Sequence, residues 1–315
     1  MRILLAGGAG FIGSHIADAL LARGDEVVAI DNFATGRPEN VAHLSGNAKF
    51  TLIEQDITLP WPAHQALAAK FDVVLDYASP ASPNDFATMP LEILAVGSTG
   101  TRNLLDRAKA DNAVFFLTST SEVYGDPLVH PQPETYWGNV SSIGPRSCYD
   151  EAKRFSEALT MAYHRVHGVQ VRISRIFNTY GERMRPNDGR VVNTFVVQAL
   201  RGEPLTLHGD GSQTRSFCYV DDLIDGLIKL FFTDHVYEPI NLGNPTPITM
   251  LQLAKEVIEL TNSKSELVFE ELPGDDPRDR EPDISKAKNL LGWSPLVSRT
   301  VGLEKTIEDL RAQLS

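Results

Sequence analysis

The stretch AGGAGFIGS, residues 6–14, decides the fold of this chain. It follows a short apolar segment, residues 2–6, and leads into residues 11–23, whose apolar positions recur at helical spacing. Glycines at such a junction permit a tight turn, let the backbone approach a pyrophosphate and place a helix N-terminus beside the anion. An ordinary strand–helix turn is the alternative, but the context favours a dinucleotide-binding unit.

The second strand supplies the next element of that prediction. Asp31 ends the segment 26–31, eighteen residues after Gly13, where a carboxylate accepts hydrogen bonds from an adenosine ribose. A carboxylate there repels a 2′-phosphate, so the sequence predicts NAD rather than NADP, although the nearby Arg37 weakens this argument. Residues 55–57 follow the third strand and are predicted to flank the adenine.

Strand and helix patterns alternate through the first half of the chain. Apolar segments recur at 26–31, 50–56, 71–77, 113–119 and 169–176, and helical patterns at 91–110 and 149–167. This alternation predicts an α/β fold with a doubly wound parallel sheet. We expect a Rossmann domain over 1–177 and a smaller C-terminal α/β lobe over 178–315, interleaved with the first because no linker separates them.

Composition sets limits on the class of protein. The chain has 315 residues, 42% of them hydrophobic and 22% charged, which fits an ordinary globular enzyme. Its net charge of −12 argues against nucleic-acid binding, which requires a basic face. Two cysteines without metal or disulfide spacing, and the lack of a long apolar run or room for a signal peptide, predict a cytoplasmic protein without a membrane span. No metal site is predicted.

Two further motifs indicate redox chemistry. TSTSEVYGD, residues 118–126, ends a buried strand with hydroxyl groups and the neighbouring pair Ser121 and Glu122. Tyr149 and Lys153 are four residues apart, so they share one face of a helix. We expect the Lys153 ammonium, together with a bound nicotinamide ring, to favour the phenolate of Tyr149. Placed after a dinucleotide turn, this pair predicts alcohol oxidation by hydride transfer.

Together, these motifs resemble the extended short-chain dehydrogenase/reductase superfamily over the whole chain. The resemblance implies NAD as cofactor and a nucleotide sugar as substrate. It also implies a homodimer through a four-helix bundle formed by the two helices predicted at 91–110 and 149–167. The residues expected to bind NAD are Gly7, Gly10, Phe11, Ile12, Gly13, Asp31, Asn32, Thr35, Gly36, Asp56, Ile57, Ala78, Tyr149 and Lys153.

The hydroxyl-rich strand end indicates a branch of that superfamily. Dehydratases of this group usually carry Thr-Asp-Glu where this chain has Thr120, Ser121 and Glu122. Serine removes an elimination acid and a charge that would repel a substrate carboxylate. Longer stretches, among them 79–83, 144–154 and 275–293, resemble the branch that decarboxylates UDP-glucuronate to UDP-xylose.

That resemblance implies roles for individual residues. The catalytic candidates are Thr120, Ser121, Glu122, Tyr149, Lys153 and Arg280. Tyr149 is expected to take the C4 hydroxyl proton, Thr120 and Ser121 to bind the sugar or its carboxylate, and Arg280 to place positive charge near that carboxylate. Whether Glu122 orients the substrate or carries a proton stays open. The candidates for substrate binding are Ser79, Asn178, Arg185, Arg190, Arg215 and Arg278.

Several alternatives stay open. A 4-epimerase, an oxidative decarboxylase that releases the 4-keto pentose, and a non-catalytic nucleotide sensor share the same first motifs. Ala95 and Gly97 also depart from the resemblance, since relatives usually carry a polar residue and an asparagine there. We therefore expect one positioning contact to be missing or replaced.

Overall fold

A central parallel sheet organises the molecule, for which a computed structural model describes residues 1–271 and 279–315. The strands are β1 (Arg2–Ala6), β2 (Glu26–Asp31), β3 (Phe50–Glu54), β4 (Val73–Asp76), β5 (Val114–Thr120), β6 (Val171–Ile176), β7 (Thr179–Tyr180), β8 (Leu205–His208), β9 (Thr214–Ser216), β10 (Cys218–Tyr219), β11 (Ile240–Leu242), β12 (Pro247–Thr249), β13 (Leu267–Glu270) and β14 (Asp279–Arg280). Seven of them pair in the order β11-β6-β5-β4-β1-β2-β3, all parallel. The predicted doubly wound Rossmann-type sheet is confirmed.

Helices cover both faces of the sheet and build the second lobe. They are α1 (Phe11–Ala22), α2 (Gln65–Ala68), α3 (Pro83–Thr88), α4 (Pro90–Ala95), α5 (Thr101–Asp111), α6 (Ser147–His167), α7 (Val191–Arg201), α8 (Val220–Phe231), α9 (Met250–Thr261), α10 (Ser285–Leu291) and α11 (Arg299–Leu314). Short 3₁₀ segments occupy Pro38–Leu44 and Ser121–Tyr124. The single helix predicted at 91–110 is divided, because one π-helical turn, Val96–Gly100, joins α4 to α5.

Apolar side chains form a separate core on each face of the central sheet. One core includes Leu5 on β1, Leu20 on α1 and Leu227 on α8, and the opposite core includes Leu4 on β1, Leu105 on α5 and Ile173 on β6. Adjacent residues of one strand thus enter different cores, as the strand period of two requires. A third core, formed largely by α7, α9 and α11, fills the second lobe.

The chain crosses between the two lobes more than once. After the second lobe begins, β11 returns to pair with β6, and α8 packs against α1. The Trp293 indole, from a still later segment, donates a hydrogen bond to the Asp222 carbonyl (2.9 Å). The division at residue 178 stays a prediction, but both lobes share the central sheet.

Both cysteines of the chain, Cys148 and Cys218, are buried and free. Among the described residues, every helix is too short or too polar to cross a lipid bilayer, and the same residues contain no group of acidic, histidine or cysteine side chains arranged to hold a metal ion.

Candidate active site

The glycine turn forms a cradle that side chains would fill. Gly7 has φ +76°, and a Cβ there would lie 2.7 Å from the Tyr77 carbonyl carbon. A Cβ on Gly13 would collide with the Gly7 carbonyl oxygen. The turn leads directly into α1 at Phe11. Close backbone packing followed by a helix N-terminus is the arrangement that accepts a pyrophosphate.

Asp31 lies beside that cradle, held by the backbone. Its carboxylate accepts the N–H groups of Ala9 and Phe33 (2.9 Å each). A Cβ on Gly36 would lie 2.6 Å from one of its oxygens, so glycine leaves this carboxylate room. Burial raises the pKa of Asp31, and the two N–H donors act in the opposite direction. The contact of Asp31 with a ribose stays a prediction.

A small cavity of about 170 Å³ continues from Asp31. Asp56 lies at its edge and accepts hydrogen bonds from Asn32 Nδ2 (3.1 Å) and from the Thr58 hydroxyl (2.7 Å). The predicted cofactor residues that line it are Gly7, Gly10, Asp31, Asn32, Thr35, Gly36, Asp56, Ile57 and Ala78. An apolar slot with a carboxylate at one side and a glycine cradle at the other fits the adenosine half of NAD.

A larger cleft of about 610 Å³ opens between the two lobes at the carboxyl ends of the strands. This is where ligands bind in open α/β sheets. The predicted site residues that line it are Gly7, Gly10, Phe11, Ile12, Gly13, Thr35, Ser79, Thr120, Ser121, Glu122, Tyr149, Lys153, Asn178, Arg185, Arg190, Arg215 and Arg280. Arg278 lies outside the described residues.

Tyr149 stands in the first turn of α6 and is 6% exposed. Its ring stacks on Phe86 (centroids 5.0 Å apart), and its hydroxyl is hydrogen-bonded to Thr120. Burial raises the pKa of Tyr149 to about 12, while the Thr120 hydrogen bond and the charge of Arg190 lower it. In the protein alone the direction is opposite to the one expected from Lys153, because desolvation outweighs the nearby positive charges.

Lys153 is buried one helical turn further along α6. Its ammonium donates to the Thr118 carbonyl oxygen (3.1 Å) and lies 6.0 Å from the centroid of the Tyr149 ring. Burial lowers the pKa of Lys153, whereas the carboxylates of Asp76 and Glu157 raise it. The two motif residues therefore face the end of β5 together, as the i, i+4 spacing predicts.

Glu122 lies between two arginines. Arg146 Nη2 donates to Glu122 Oε2 (2.6 Å), Arg280 Nη2 donates to the same oxygen (2.8 Å), and Arg280 Nη1 donates to Oε1. Burial alone would raise the pKa of Glu122, but the charges and hydrogen bonds of Arg280 and Arg146 lower it to about 2. Arg280 is 4% exposed, so its positive charge reaches the cleft already paired with Glu122.

The other predicted arginines of the cleft also have hydrogen-bond acceptors, a carboxylate for Arg185 and Arg190 and a backbone carbonyl for Arg215. Arg185 Nη2 donates to both Asp85 oxygens (2.6 Å each). Arg190 Nη2 donates to Asp188 Oδ2 (3.0 Å). Arg215 Nη1 donates to the carbonyl of the preceding residue. Each carboxylate holds its arginine along the cleft wall, and the cleft retains cationic groups for an anionic ligand.

Sequence reasoning missed the residues that support these groups. Arg146 and Asp76 were not selected, although Arg146 lies within the stretch 144–154. Asp76 accepts the Thr101 hydroxyl (2.9 Å), and the Thr118 hydroxyl donates to the Asp76 carbonyl (2.7 Å). A charged residue at the end of a buried strand was the available signal for Asp76. No comparable signal joins Arg146 to Glu122, because 24 residues separate them.

The structure explains Gly97 by packing. A Cβ on Gly97 would lie 2.7 Å from the Ala152 Cβ and 3.0 Å from the Ala152 carbonyl oxygen. The Ser156 hydroxyl also donates to the Gly97 carbonyl (2.7 Å). The π turn therefore lies directly against α6, the helix that carries Tyr149. At Gly97, backbone contact with α6 replaces the side-chain contact of the usual asparagine. Ala95 borders the adenosine cavity.

Gly97→Val is expected to destabilise the protein by about 1–3 kcal/mol, because the added methyl groups overpack against α6. Urea denaturation followed by circular dichroism measures this change. Thr99→Val is the matched control, since Thr99 is exposed on the same turn. An unfolding free energy of Gly97→Val equal to that of the control would contradict the close packing.

Comparison with known proteins gives the family of this chain. The family described as NAD dependent epimerase/dehydratase matches residues 3–243. The chain belongs to this family. NAD is therefore its cofactor. The glycine cradle, Asp31 and the other residues that line the adenosine cavity would hold it.

Curated relatives align with 99–100% of this chain. UDP-glucuronic acid decarboxylase 1 of Arabidopsis thaliana is 52% identical over 314 residues, covering 100% of this chain and 71% of the relative. UDP-glucuronic acid decarboxylase 3 of the same plant is 52% identical over 316 residues, covering 100% and 90%. The zebrafish (Danio rerio) UDP-glucuronic acid decarboxylase 1 is 50% identical over 313 residues, covering 99% and 73%.

Solved structures of other family members share the fold. The Thermotoga maritima UDP-glucose 4-epimerase has a TM-score of 0.89 and 31% identity, with both chains covered completely. The Bacillus cereus UDP-glucuronic acid 4-epimerase, in complex with UDP-glucuronic acid and NAD, has a TM-score of 0.87 and 30% identity, again over both chains.

Proposed function

We propose that this protein is an NAD-dependent UDP-glucuronate decarboxylase, a carboxy-lyase that forms UDP-xylose. The observation that carries the proposal is the end of β5, where Ser121 stands beside Glu122 and Arg280 reaches the same cleft. A serine leaves space and charge balance for a substrate carboxylate, which an aspartate would oppose. The decarboxylases aligned with the entire chain support the same reaction.

The residues of the cleft prepare oxidation at C4 of the sugar. Tyr149 takes the proton of the C4 hydroxyl, and Thr120 fixes the phenol by its hydrogen bond. Lys153 places its ammonium 6.0 Å from the centroid of the phenol ring. NAD, when bound, would supply the hydride acceptor for C4 and, in its reduced form, the hydride donor for the final reduction. Because Phe86 and the cleft walls exclude water from the ring, the charge that develops on Tyr149 acts through a poorly screening medium.

Loss of carbon dioxide then needs little additional chemistry. Oxidation makes the glucuronate a β-keto acid, which loses carbon dioxide when its developing enolate is stabilised. Arg280 provides positive charge on that side of the cleft, and Glu122 holds Arg280 in place. Since the two arginines keep Glu122 ionised in the free protein, its role there is to orient Arg280 rather than to donate a proton.

Incubation with UDP-glucuronate and catalytic NAD is the direct test. We expect release of carbon dioxide and formation of UDP-xylose, identified by mass spectrometry, without added reductant. Recovery of unchanged UDP-glucuronate would refute the decarboxylase proposal. Accumulation of reduced cofactor in proportion to product would instead show an oxidative decarboxylase that releases the 4-keto pentose.

A UDP-glucuronate 4-epimerase is the second candidate, because the B. cereus epimerase shares the fold at 30% identity. It begins with the same oxidation but retains the carboxylate. The product in that case has the mass of the substrate, so the same mass spectrum separates the two reactions.

Ser121→Asp is expected to weaken binding of UDP-glucuronate by about 1–4 kcal/mol, because a second carboxylate then faces the substrate carboxylate. This corresponds to a rise in Kd of about fivefold to a thousandfold. Isothermal titration calorimetry measures the affinity of the protein for UDP-glucuronate and for UDP-glucose. Only the affinity for UDP-glucuronate should fall. Ser121→Asn provides the uncharged control of equal size. Equal losses in the two variants would show that volume, not charge, matters at this position.

The protein is proposed to form a homodimer through α4, α5 and α6. Leu91 and Leu94 are 75% and 41% exposed, and Phe155 on the adjacent helix is 46% exposed. The continuous α4–α5 helix and α6 from each of two copies would give the predicted four-helix bundle. A second copy is the proposed occupant because the superfamily resemblance implies a dimer built from these two helices.

Phe155→Glu is expected to shift this dimer toward monomer, since it places two charges in the interface. Light scattering coupled to gel filtration measures the mass. Phe269→Glu changes a comparably exposed phenylalanine on β13 and should leave the mass unaltered. A monomeric unaltered protein would refute the dimer.

We also propose a cytoplasmic location, which the two free cysteines support.

A further inference from the structure

A second buried carboxyl group lies beside Glu122, and the mechanism above does not use it. Asp150 follows Tyr149 in the first turn of α6 and is 6% exposed. Its Oδ1 is fully buried and has no hydrogen-bond partner among the described residues. The charged groups facing Asp150 are Glu122 from the turn after β5, Arg146 and Glu151 from α6 and its approach, and Arg280 from β14.

These groups form an ionic cluster that we define by its four least exposed members. They are Glu122, Asp150, Arg146 and Arg280. Glu151 stands apart, because it is more exposed and lies 3.7 Å from Arg154. With both acids ionised, the ionic cluster is neutral, and with one acid protonated it carries one positive charge. The charge of the ionic cluster therefore changes with a single proton.

A substrate carboxylate changes that balance. If it enters beside a neutral ionic cluster, the region gains an uncompensated negative charge in a poorly solvated place, which is unfavourable. Uptake of one proton by the ionic cluster restores neutrality. The acid that takes it must be the one whose ionised form is held less firmly.

The contacts distinguish the two acids. Glu122 accepts hydrogen bonds from both arginines, which keep it ionised. Asp150 has an oxygen without any such donor. Burial and the charge of Glu122 raise the pKa of Asp150 to about 7, with Arg146 and Arg280 acting in the opposite direction.

We propose that Asp150 takes up a proton when the substrate carboxylate enters the cleft, and so compensates its charge. This inference rests on the proposed function, since it requires a hexuronate substrate. Asp150 acts through the ionic cluster; no contact with substrate is assigned to it.

The overall reaction consumes one proton, the same number that Asp150 takes up when the substrate binds. The bond between C5 and the carboxylate breaks, its electron pair passes to the 4-keto oxygen as an enolate, and carbon dioxide leaves. C5 then binds one proton as the ketone re-forms. The carboxylate's negative charge stays on the enolate when neutral carbon dioxide leaves, and it disappears when C5 is protonated. After that protonation the ionic cluster favours an ionised Asp150 again. Asp150 therefore releases its proton during the part of the cycle in which C5 gains one.

Proton uptake can be measured without turnover. Tyr149→Phe protein saturated with NAD is titrated with UDP-glucuronate by calorimetry, in buffers of different ionisation enthalpy. We expect uptake of about one proton per site near pH 8 and almost none near pH 6, because Asp150 is already protonated below its pKa. UDP-glucose, which has no carboxylate, should bind without uptake.

Asp150→Asn in the same background provides the matched variant. Its uptake near pH 8 should vanish, and its affinity for UDP-glucuronate should stay constant with pH. The Asp150 protein should instead lose up to about tenfold in affinity per pH unit above the pKa.

Infrared difference spectra identify the acid by a second readout that is independent of the calorimetry. Binding of UDP-glucuronate should produce a protonated carboxyl band that shifts when aspartate carries ¹³C in its side-chain carboxyl, and that is missing in Asp150→Asn. A band shifted by labelled glutamate instead, or binding without proton uptake, would overturn the inference. Failure of UDP-glucuronate to bind at all would overturn the proposed function and this inference with it.

Discussion

Tyr149→Phe is expected to lower kcat for UDP-glucuronate about 10²–10⁴-fold, the usual contribution of a positioned acid–base group. The phenylalanine ring can keep its stacking on Phe86, so substrate affinity should change little. What disappears is the hydroxyl that Thr120 fixes and that takes the C4 proton. Product formation and the transient absorbance of reduced nicotinamide should fall together.

Tyr163→Phe is the matched control for this loss. It makes the same change on the same helix, where the Tyr163 hydroxyl donates to Asp106 (2.7 Å) away from the cleft. The control should retain the unaltered kcat. A Tyr149→Phe protein with undiminished turnover would remove Tyr149 from the reaction and require another base at C4.

The second large effect concerns stability. Glu122→Gln should lower the free energy of unfolding at pH 7 by about 3 kcal/mol, the energy of a pKa change from 4.5 to about 2. Glutamine resembles the protonated acid and cannot pair with the two guanidinium groups. Breaking a buried ion pair typically costs about 3–5 kcal/mol, which is of the same order.

The sign of the pH dependence follows from the lowered pKa. The contribution of Glu122 is fully present above the unfolded-state pKa near 4.5 and is lost as pH falls toward 2. Urea denaturation from pH 7 to pH 4 should therefore show a gap between the two proteins that closes as the pH falls below 4.5. Glu151→Gln alters a half-exposed acid nearby and should cost less than about 1 kcal/mol. A gap that does not vary across the acid range would contradict the ion-pair origin.

The sheet and the cofactor half of the site could be predicted because they depend on local sequence. The glycine cradle, Asp31 and the Tyr149–Lys153 pair each lie within a few residues of the strand or helix end that positions them. Their consequences for backbone geometry are short-range, so the spacing alone indicated where they would meet.

The electrostatic part could not be predicted in the same way. Arg280 was expected near a substrate carboxylate, but its pairing with Glu122 joins residues 158 positions apart. The partner of Arg185 was missed for the same reason, because Asp85 lies 100 positions away. Arg190 pairs with Asp188, only two positions away, but a list of charges does not specify which of them meet. The direction of the Tyr149 pKa shift depends on burial, which is a property of the assembled cleft. The division of 91–110 by a π turn reflects the tight fit of Gly97 against Ala152.

The position of β11 has a consequence for biosynthesis. A ribosome delivers β6 long before residues 240–242, and until then the outer edge of β6 has unpaired backbone groups. Exposed edges of this kind pair readily with other chains. A nascent or truncated chain that stops before residue 240 therefore exposes an edge of the sheet that can pair with other chains. This edge is covered only when β11 forms and pairs with β6.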